Sequence, residues 1–294
     1  MIPAEFDYVA PESLDEALAA LREGGEDAKL LAGGHSLLPL MKLRLAAPSL
    51  LVDLRHVPGL TGIERDERSG GEGAARDGGG WRIGAMTRHV EVANGGLGLA
   101  STAAETIADP QVRNRGTLGG SLAHGDPASD MPAIMLATDA SLTIRGADGE
   151  REVPAAGFFH DYLTTAVADG EVLTEIRMPS MDGYGYGYRK FNRRQEDWAM
   201  VAAAALVRRA PDGTCEDVRV GLTHMASVPL RATAVEEALR GRPLDAQSIA
   251  AAAEQAAEGT EPPADLNASE DYKRHLARVL TRRALQDAAT GASS

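Results

Sequence analysis

Two stretches of the chain combine residue types and spacings that suit chemistry. The first runs Leu30-Leu31-Ala32-Gly33-Gly34-His35-Ser36-Leu37, a short apolar strand that enters two glycines and then a helix start. Consecutive glycines can take positive φ, aim several backbone N–H groups into one concavity and admit a ligand close to the main chain. Phosphate is the guest such a cradle suits. Ser36 is expected to cap the turn beyond, where Pro39 is tolerated because the first N–H groups of a helix have no internal partner. By itself the segment reads equally well as a strand-to-helix turn that uses Gly-Gly.

The second stretch lies within residues 112–130. Gly119-Gly120, flanked by Thr117 and Ser121, offers N–H groups and two hydroxyls, and Arg113 and Arg115 upstream balance anionic charge. Two such loops, about eighty residues apart, suit a pyrophosphate and are hard to explain as punctuation. His124, Asp126 and Asp130 also read as metal ligands, although no metal signature spacing accompanies them. His35, inside the first cradle, is expected to hydrogen-bond a cofactor or the backbone and not to titrate catalytically.

The elements that position these loops follow from periodicity. Ser13 and Glu16 form a capping box, and Leu14, Ala17, Leu18 and Leu21 recur at helical spacing until Gly24-Gly25. With a strand over 50–54, this gives an α/β unit with parallel strands to about residue 60. A glycine-rich charged loop over 66–80 joins two strands, Thr87 is expected to cap a helix carrying Val90, Val92 and Ala93, and a second helix spans 99–107. A helix over 131–137 and strands over 141–145, 151–153 and 172–178 complete a mostly antiparallel unit. GYGYGYRKF reads as entry into an edge strand, and residues 190–207 as a strand or hairpin. A strand over 218–225 and amphipathic helices over 232–239, 246–258 and 270–288 follow, the last with Tyr272, Leu276, Val279, Leu280 and Ala284 on its apolar face.

Composition narrows the function. With 44% hydrophobic and 25% charged residues among 294, the chain is an ordinary globular one, and its net charge of −13 argues against nucleic acid as a partner. The first eighteen residues have neither a basic nor an apolar leader region, and no apolar run approaches membrane-spanning length, so no membrane insertion and a cytoplasmic location are expected. Cys215 is the only cysteine, which excludes an internal disulfide and an iron–sulfur cluster held by four thiolates of this chain. It reads as an incidental residue in a polar turn.

AGGHSLLPLMKLR together with QVRNRGTLGGSLAHGDPASD resembles the FAD-binding subunit of the molybdenum hydroxylase family, whose members include the medium subunit of aerobic carbon monoxide dehydrogenase and the flavin domain of xanthine dehydrogenase. The similarity continues through GEVLTEIRMP, YRKFNRRQEDWAMV and GLTHMASVPLRA; the loop over 66–80 is longer than the family leads one to expect. The resemblance implies an α+β fold: a two-part FAD-binding domain over 1–178 (1–60 and 61–178; vanillyl-alcohol-oxidase-like, PCMH type), then a sheet-and-helices domain over 185–290. FAD is expected between the first two parts. Carried over by residue, its pyrophosphate loops are Ala32, Gly33, Gly34, His35, Ser36 and Leu37, and Thr117, Leu118, Gly119, Gly120 and Ser121. Asp130 matches a carboxylate that reaches the polyol region, and Ile107, Leu173 and Lys190 match an apolar pair and a cation. Trp198 reads either as a cover for the flavin or as core.

The family implies an iron–sulfur small subunit and a molybdopterin-binding large subunit as partners, in a dimer of heterotrimers, with this chain holding the last electron relay, no catalytic residue and no metal. A self-sufficient FAD-dependent oxidoreductase and a non-redox nucleotide-binding scaffold are the alternatives.

Overall fold

The computed structural model describes residues 2–67 and 79–292; most of the expected loop over 66–80 lies outside them. The first part is a parallel sheet of Asp7–Val9, Leu50–Asp53 and Ala28–Leu31, with Leu50–Asp53 central. Its helix, Leu14–Gly24, begins where the Ser13 hydroxyl accepts the Glu16 N–H at 3.2 Å and ends at Gly25, whose φ is 64°. The Glu16 carboxylate accepts the N–H of Glu12, not that of Ser13. Ala17, Leu18 and Leu21 pack on Ala28, Val52 and Leu54, so the helical spacing read in the sequence is the spacing of a buried face.

The second part is a five-stranded antiparallel sheet in the order Ile63–Asp66, Gly80–Gly84, Val172–Pro179, Ser141–Gly146, Gly149–Pro154. Helices Leu99–Glu105, Leu118–His124 and Asp130–Ala137 meet it in a core containing Ile83, Leu118, Met131, Ile134, Leu142 and Ile176. Thr87 does not cap the next helix, which is His89–Asn94 with Arg88 in the cap position. The Thr87 hydroxyl instead accepts the Gly62 N–H at 3.0 Å and donates to the Gly62 carbonyl, tying the strand exit to the preceding turn.

The third part is an antiparallel sheet of Tyr184–Phe191, Val201–Arg209, Cys215–Thr223 and Leu230–Arg231, with the first at an edge as expected. Its second strand is buried on both faces. Ala202, Ala204 and Leu206 join the core of the second part, while Val201, Ala203, Ala205 and Val207 face the C-terminal helices Thr233–Leu239, Ala246–Ala253 and Glu270–Gly291. This double burial explains the unbroken apolar run. The glycine–tyrosine alternation is the same geometry at the edge: Tyr184 and Tyr188 enter the core of the second part, and Gly185 and Gly187 lie under the last helix. A Cβ on Gly185 would sit 2.0 Å from the Ala288 carbonyl oxygen and one on Gly187 2.2 Å from that of Ala284.

Two further sequence expectations change here. The last helix leaves Tyr272 43% exposed and turns the Lys273 side chain fully inward. Cys215 is not in a polar turn; it is buried at the start of its strand, where burial pushes its thiol up to about 11 and leaves it unreactive. Among the described residues no helix is long and apolar enough to cross a membrane.

Gly185→Val is expected to lower stability by about 1–3 kcal/mol or more, because the clash is with helix backbone that cannot rotate away. Gly157→Ala, where an added Cβ meets nothing within 4 Å, is expected to stay within about 0.5 kcal/mol of wild type. Thermal unfolding of the two variants measures the contrast; equal midpoints would mean the helix does not hold this strand so closely.

Candidate functional site

A cavity of about 620 Å³ opens where the first two parts meet, with the hairpin of the third part at its wall. All the site residues expected from sequence line it except Leu118, whose side chain is fully buried in the core. That volume falls in the range of small-molecule and cofactor sites.

The first cradle has the expected form. The strand Ala28–Leu31 ends, Gly34 takes φ 76°, and the helix Leu37–Lys42 begins. The N–H groups of residues 33–37 have no partner among the described residues, and the first closed bond is Leu38 N–H to the Gly34 carbonyl at 3.0 Å. Five consecutive free donors at the end of a parallel strand are an arrangement that suits an anion. Ser36 stands in the cap position but in a helical conformation, with no side-chain cap bond, so its hydroxyl stays free for a ligand.

The second glycine pair works differently from the sequence expectation. Leu118–His124 is already helix, and Thr117 caps it by accepting the Gly120 N–H at 3.1 Å. The Leu118 N–H donates to the Thr87 carbonyl, that of Gly119 to Ala85 at 2.8 Å, and that of Ser121 to Thr117. No free N–H is left from Leu118 to Ser121, and neither glycine has positive φ. The glycines are there for close approach: a Cβ on Gly119 would lie 2.5 Å from that of Ala85, and one on Gly120 2.6 Å from the Thr117 hydroxyl oxygen that caps the helix. Gly33 packs reciprocally, 2.3 Å from the Arg115 carbonyl oxygen were it to carry a Cβ. What this loop presents to the cavity is the Ser121 hydroxyl and bare main chain.

Arg113 is likewise a brace. It donates to the carbonyls of Ile107 at 2.8 Å and Ala108 at 3.0 Å, holding a turn in which Ala108 has φ 41°. Arg115 stays exposed beside His35, and burial together with that guanidinium lowers the His35 pKa, keeping its ring neutral.

Asp130 anchors the far wall. Its carboxylate accepts the Tyr188 hydroxyl at 2.5 Å and the Lys190 ammonium at 2.9 Å, with both side chains of the ion pair buried. Burial raises the Asp130 pKa and Lys190 opposes it; the Tyr188 phenol is held well above its ordinary range and acts only as a donor. Ile107 and Leu173 supply apolar lining, and Trp198, 52% exposed, sits at the rim. His124, Asp126 and Asp130 do not converge: Asp126 accepts the Ala128 N–H, Asp130 is committed to Lys190 and Tyr188, and no group of three such side chains suits a metal among the described residues.

His89 was not foreseen. It lines the cavity between the loops, where a Cβ on Gly116 would lie 2.9 Å from its Cδ2, and burial, with His35 nearby, pushes it down to about 4. Its Nδ1 has no partner. The only sequence signal was its place at the start of a helix, which the Thr87 cap reading absorbed. Free donors for an anion, an apolar middle and a buried carboxylate able to accept hydroxyl bonds together fit FAD.

Residues 4–181 match the family described as the FAD binding domain in molybdopterin dehydrogenase, and residues 186–288 match the CO dehydrogenase flavoprotein C-terminal domain. The chain is 42% identical to the carbon monoxide dehydrogenase medium chain of Hydrogenophaga pseudoflava, covering 98% of both, and 36% identical to subunit alpha of the 6-hydroxypseudooxynicotine dehydrogenase complex of Paenarthrobacter nicotinovorans, covering 98% and 96%. A solved structure of the Hydrogenophaga pseudoflava carbon monoxide dehydrogenase, in a form lacking the Mo-pyranopterin moiety of its cofactor, superposes with a TM-score of 0.91 at 43% identity over all of both chains. The chain therefore belongs to the FAD-binding medium subunits of the molybdenum hydroxylase family.

Proposed function

We propose that this chain is the last electron relay of a molybdenum hydroxylase: it takes electrons from the iron–sulfur clusters of a small subunit, themselves supplied by a molybdopterin-binding large subunit, and passes them to an external acceptor. We place it in a dimer of heterotrimers in the cytoplasm, with FAD-binding parts over 1–178 and a C-terminal domain over 185–290. The observation that carries the reading is the run of unpaired N–H groups from Gly33 to Leu37 opening into the cavity. FAD, when bound, supplies a ring that accepts and releases electrons singly or in pairs.

The chain's own residues bind and orient. The N–H groups of residues 33–37 and the hydroxyls of Ser36 and Ser121 hold the pyrophosphate, with no side-chain cation needed in first contact. Asp130, held by Lys190 and Tyr188, keeps acceptor capacity for hydroxyls of the cofactor's polyol. Ile107 and Leu173 exclude water from the middle of the cavity, and Trp198 covers the ring at the rim. Nothing here can store electrons without the cofactor: the one thiol is buried and protonated. On this reading the source of electrons is another subunit.

Gly33→Val is expected to weaken FAD retention at least about tenfold, roughly 1.4 kcal/mol, since its methyl groups would part the two loops. Gly157→Ala is expected to retain FAD fully. Flavin absorbance per chain after gel filtration measures both, and equal retention would move the pyrophosphate off this loop.

The isolated chain with FAD, kept anaerobic, is expected to show no flavin bleaching with carbon monoxide, aldehydes or N-heterocycles. After reduction by dithionite it is expected to pass electrons to a dye acceptor, and substrate-driven bleaching is expected once the two partner subunits are co-expressed. Rapid bleaching of the single chain by an organic substrate would replace the relay with a self-sufficient flavoenzyme.

A further inference from the structure

His224 lies outside the cavity, yet its bonds reach two of the cavity's walls. It follows the strand Cys215–Thr223 and is one of the few non-glycine residues with positive φ, 63°. A non-glycine residue in that conformation is uncommon and is held there by its surroundings. Its backbone N–H donates to the Pro127 carbonyl at 2.9 Å, at the start of the segment that carries Ser129 and Asp130 into the cavity. Its Nδ1 lies 2.9 Å from the Ala199 carbonyl oxygen. Ala199 is buried, and its neighbour Trp198 is the exposed indole at the rim.

The partners assign the tautomer. A carbonyl only accepts, so the proton is on Nδ1; an ammonium only donates, so Nε2, 3.4 Å from Lys273 Nζ, is the acceptor. Lys273 is itself fully buried and donates to Asp265 at 2.7 Å and to the Pro263 carbonyl at 2.7 Å. Its three donors therefore each have a direction, and the C-terminal helix holds the ring of His224 from behind. Buried polar groups with a complete set of partners form rigid structures.

We infer that His224 is a positioning residue: through its Nδ1–H bond to the Ala199 carbonyl it sets where Trp198 stands at the rim and hence how far bound flavin is covered. This rests on the reading above that Trp198 lies against the flavin ring. Trp198 makes no hydrogen bond of its own among the described residues; it stands between Asp197, whose N–H donates to the Arg194 carbonyl at 3.2 Å, and Ala199, whose carbonyl accepts from His224 beside the bond from the Met200 N–H to the Phe191 carbonyl at 2.8 Å.

The experiment uses the full chain loaded with FAD and reads flavin fluorescence and its quenching by iodide. Three variants are needed. Trp198→Leu tests the underlying reading: loss of the covering indole is expected to raise emission and iodide access severalfold. His224→Gly removes the side chain while keeping a residue that adopts positive φ without cost, so it is expected to fold; it is expected to raise emission and iodide access towards the Trp198→Leu level with FAD still bound. His224→Asn suits the left-handed conformation and places an amide N–H where Nδ1–H stood, and it is expected to restore wild-type emission although its link to Lys273 is gone. If Trp198→Leu changes the signal and His224→Gly does not, the positioning role is overturned and the site reading stands. If His224→Asn is as perturbed as His224→Gly, the bond to Ala199 is not what matters and the proposal falls. If Trp198→Leu itself leaves the signal unchanged, Trp198 does not cover the flavin, and both readings fall together.

Discussion

The structure depends on main chain meeting main chain without side chains between. Gly33 lies against Arg115 and Gly116, and Gly119 against Ala85, at separations no Cβ allows. These contacts press the end of the small parallel sheet onto the helix-covered sheet of the second part, and the cavity is the space left beside the seam. They also fix where the free donors point. The main chain of residues 33–37 does not satisfy itself, because Gly33 is held against Arg115 and Gly116 and Gly34 departs from the strand with a positive φ. The cradle is kept open by packing.

That arrangement suits an acidic protein that must hold an anionic cofactor. Two cations near the cavity are committed elsewhere, Arg113 to two carbonyls and Lys190 to Asp130. Attraction for phosphate therefore comes from fixed dipoles, which add no net charge and create no basic surface at large. Arg115, exposed beside His35, and Lys29, exposed on the strand that enters the cradle, are free to add to it. His89 adds no charge either: burial, with His35 beside it, holds its ring in the neutral form.

Much of this was legible in the sequence, and the failures have physical causes. Helices and strands announced themselves through periodicity because most have one buried face, as with Ala17, Leu18 and Leu21. The strand Val201–Arg209 was harder to bound because burial on both faces removes alternation. Both glycine pairs were recognised as special, yet the sequence could not separate a glycine needed for positive φ, as Gly34 is, from those needed for contact, as Gly33 and Gly119 are. That distinction depends on residues far away in the chain. The same is true of Gly185 and Gly187, whose partner is a helix about a hundred residues later. Lys273 was invisible for the opposite reason: a lysine on a helix reads as solvent-facing, and its burial makes sense only once Asp265, the Pro263 carbonyl and His224 are seen around it.

The third part is bound to the site by charge as well as by packing. Asp130 opens a helix of the second part, and its carboxylate is buried where an isolated charge would not survive. Lys190, on the edge strand of the third part, supplies the opposite charge, and Tyr188 two residues before it supplies a hydrogen bond from the same face of that strand. Removing one member of such a buried pair typically costs about 3–5 kcal/mol, because the other is left uncompensated. The carboxylate on the cavity wall thus depends on correct docking of the C-terminal sheet, and that sheet carries the Trp198 loop with it. Under the proposed relay this has a functional consequence: the residues that hold the cofactor's phosphates belong to the first two parts, while those that shape its exposed end belong to the third. Retention and electron exchange can then be tuned by substitutions in separate regions of the chain.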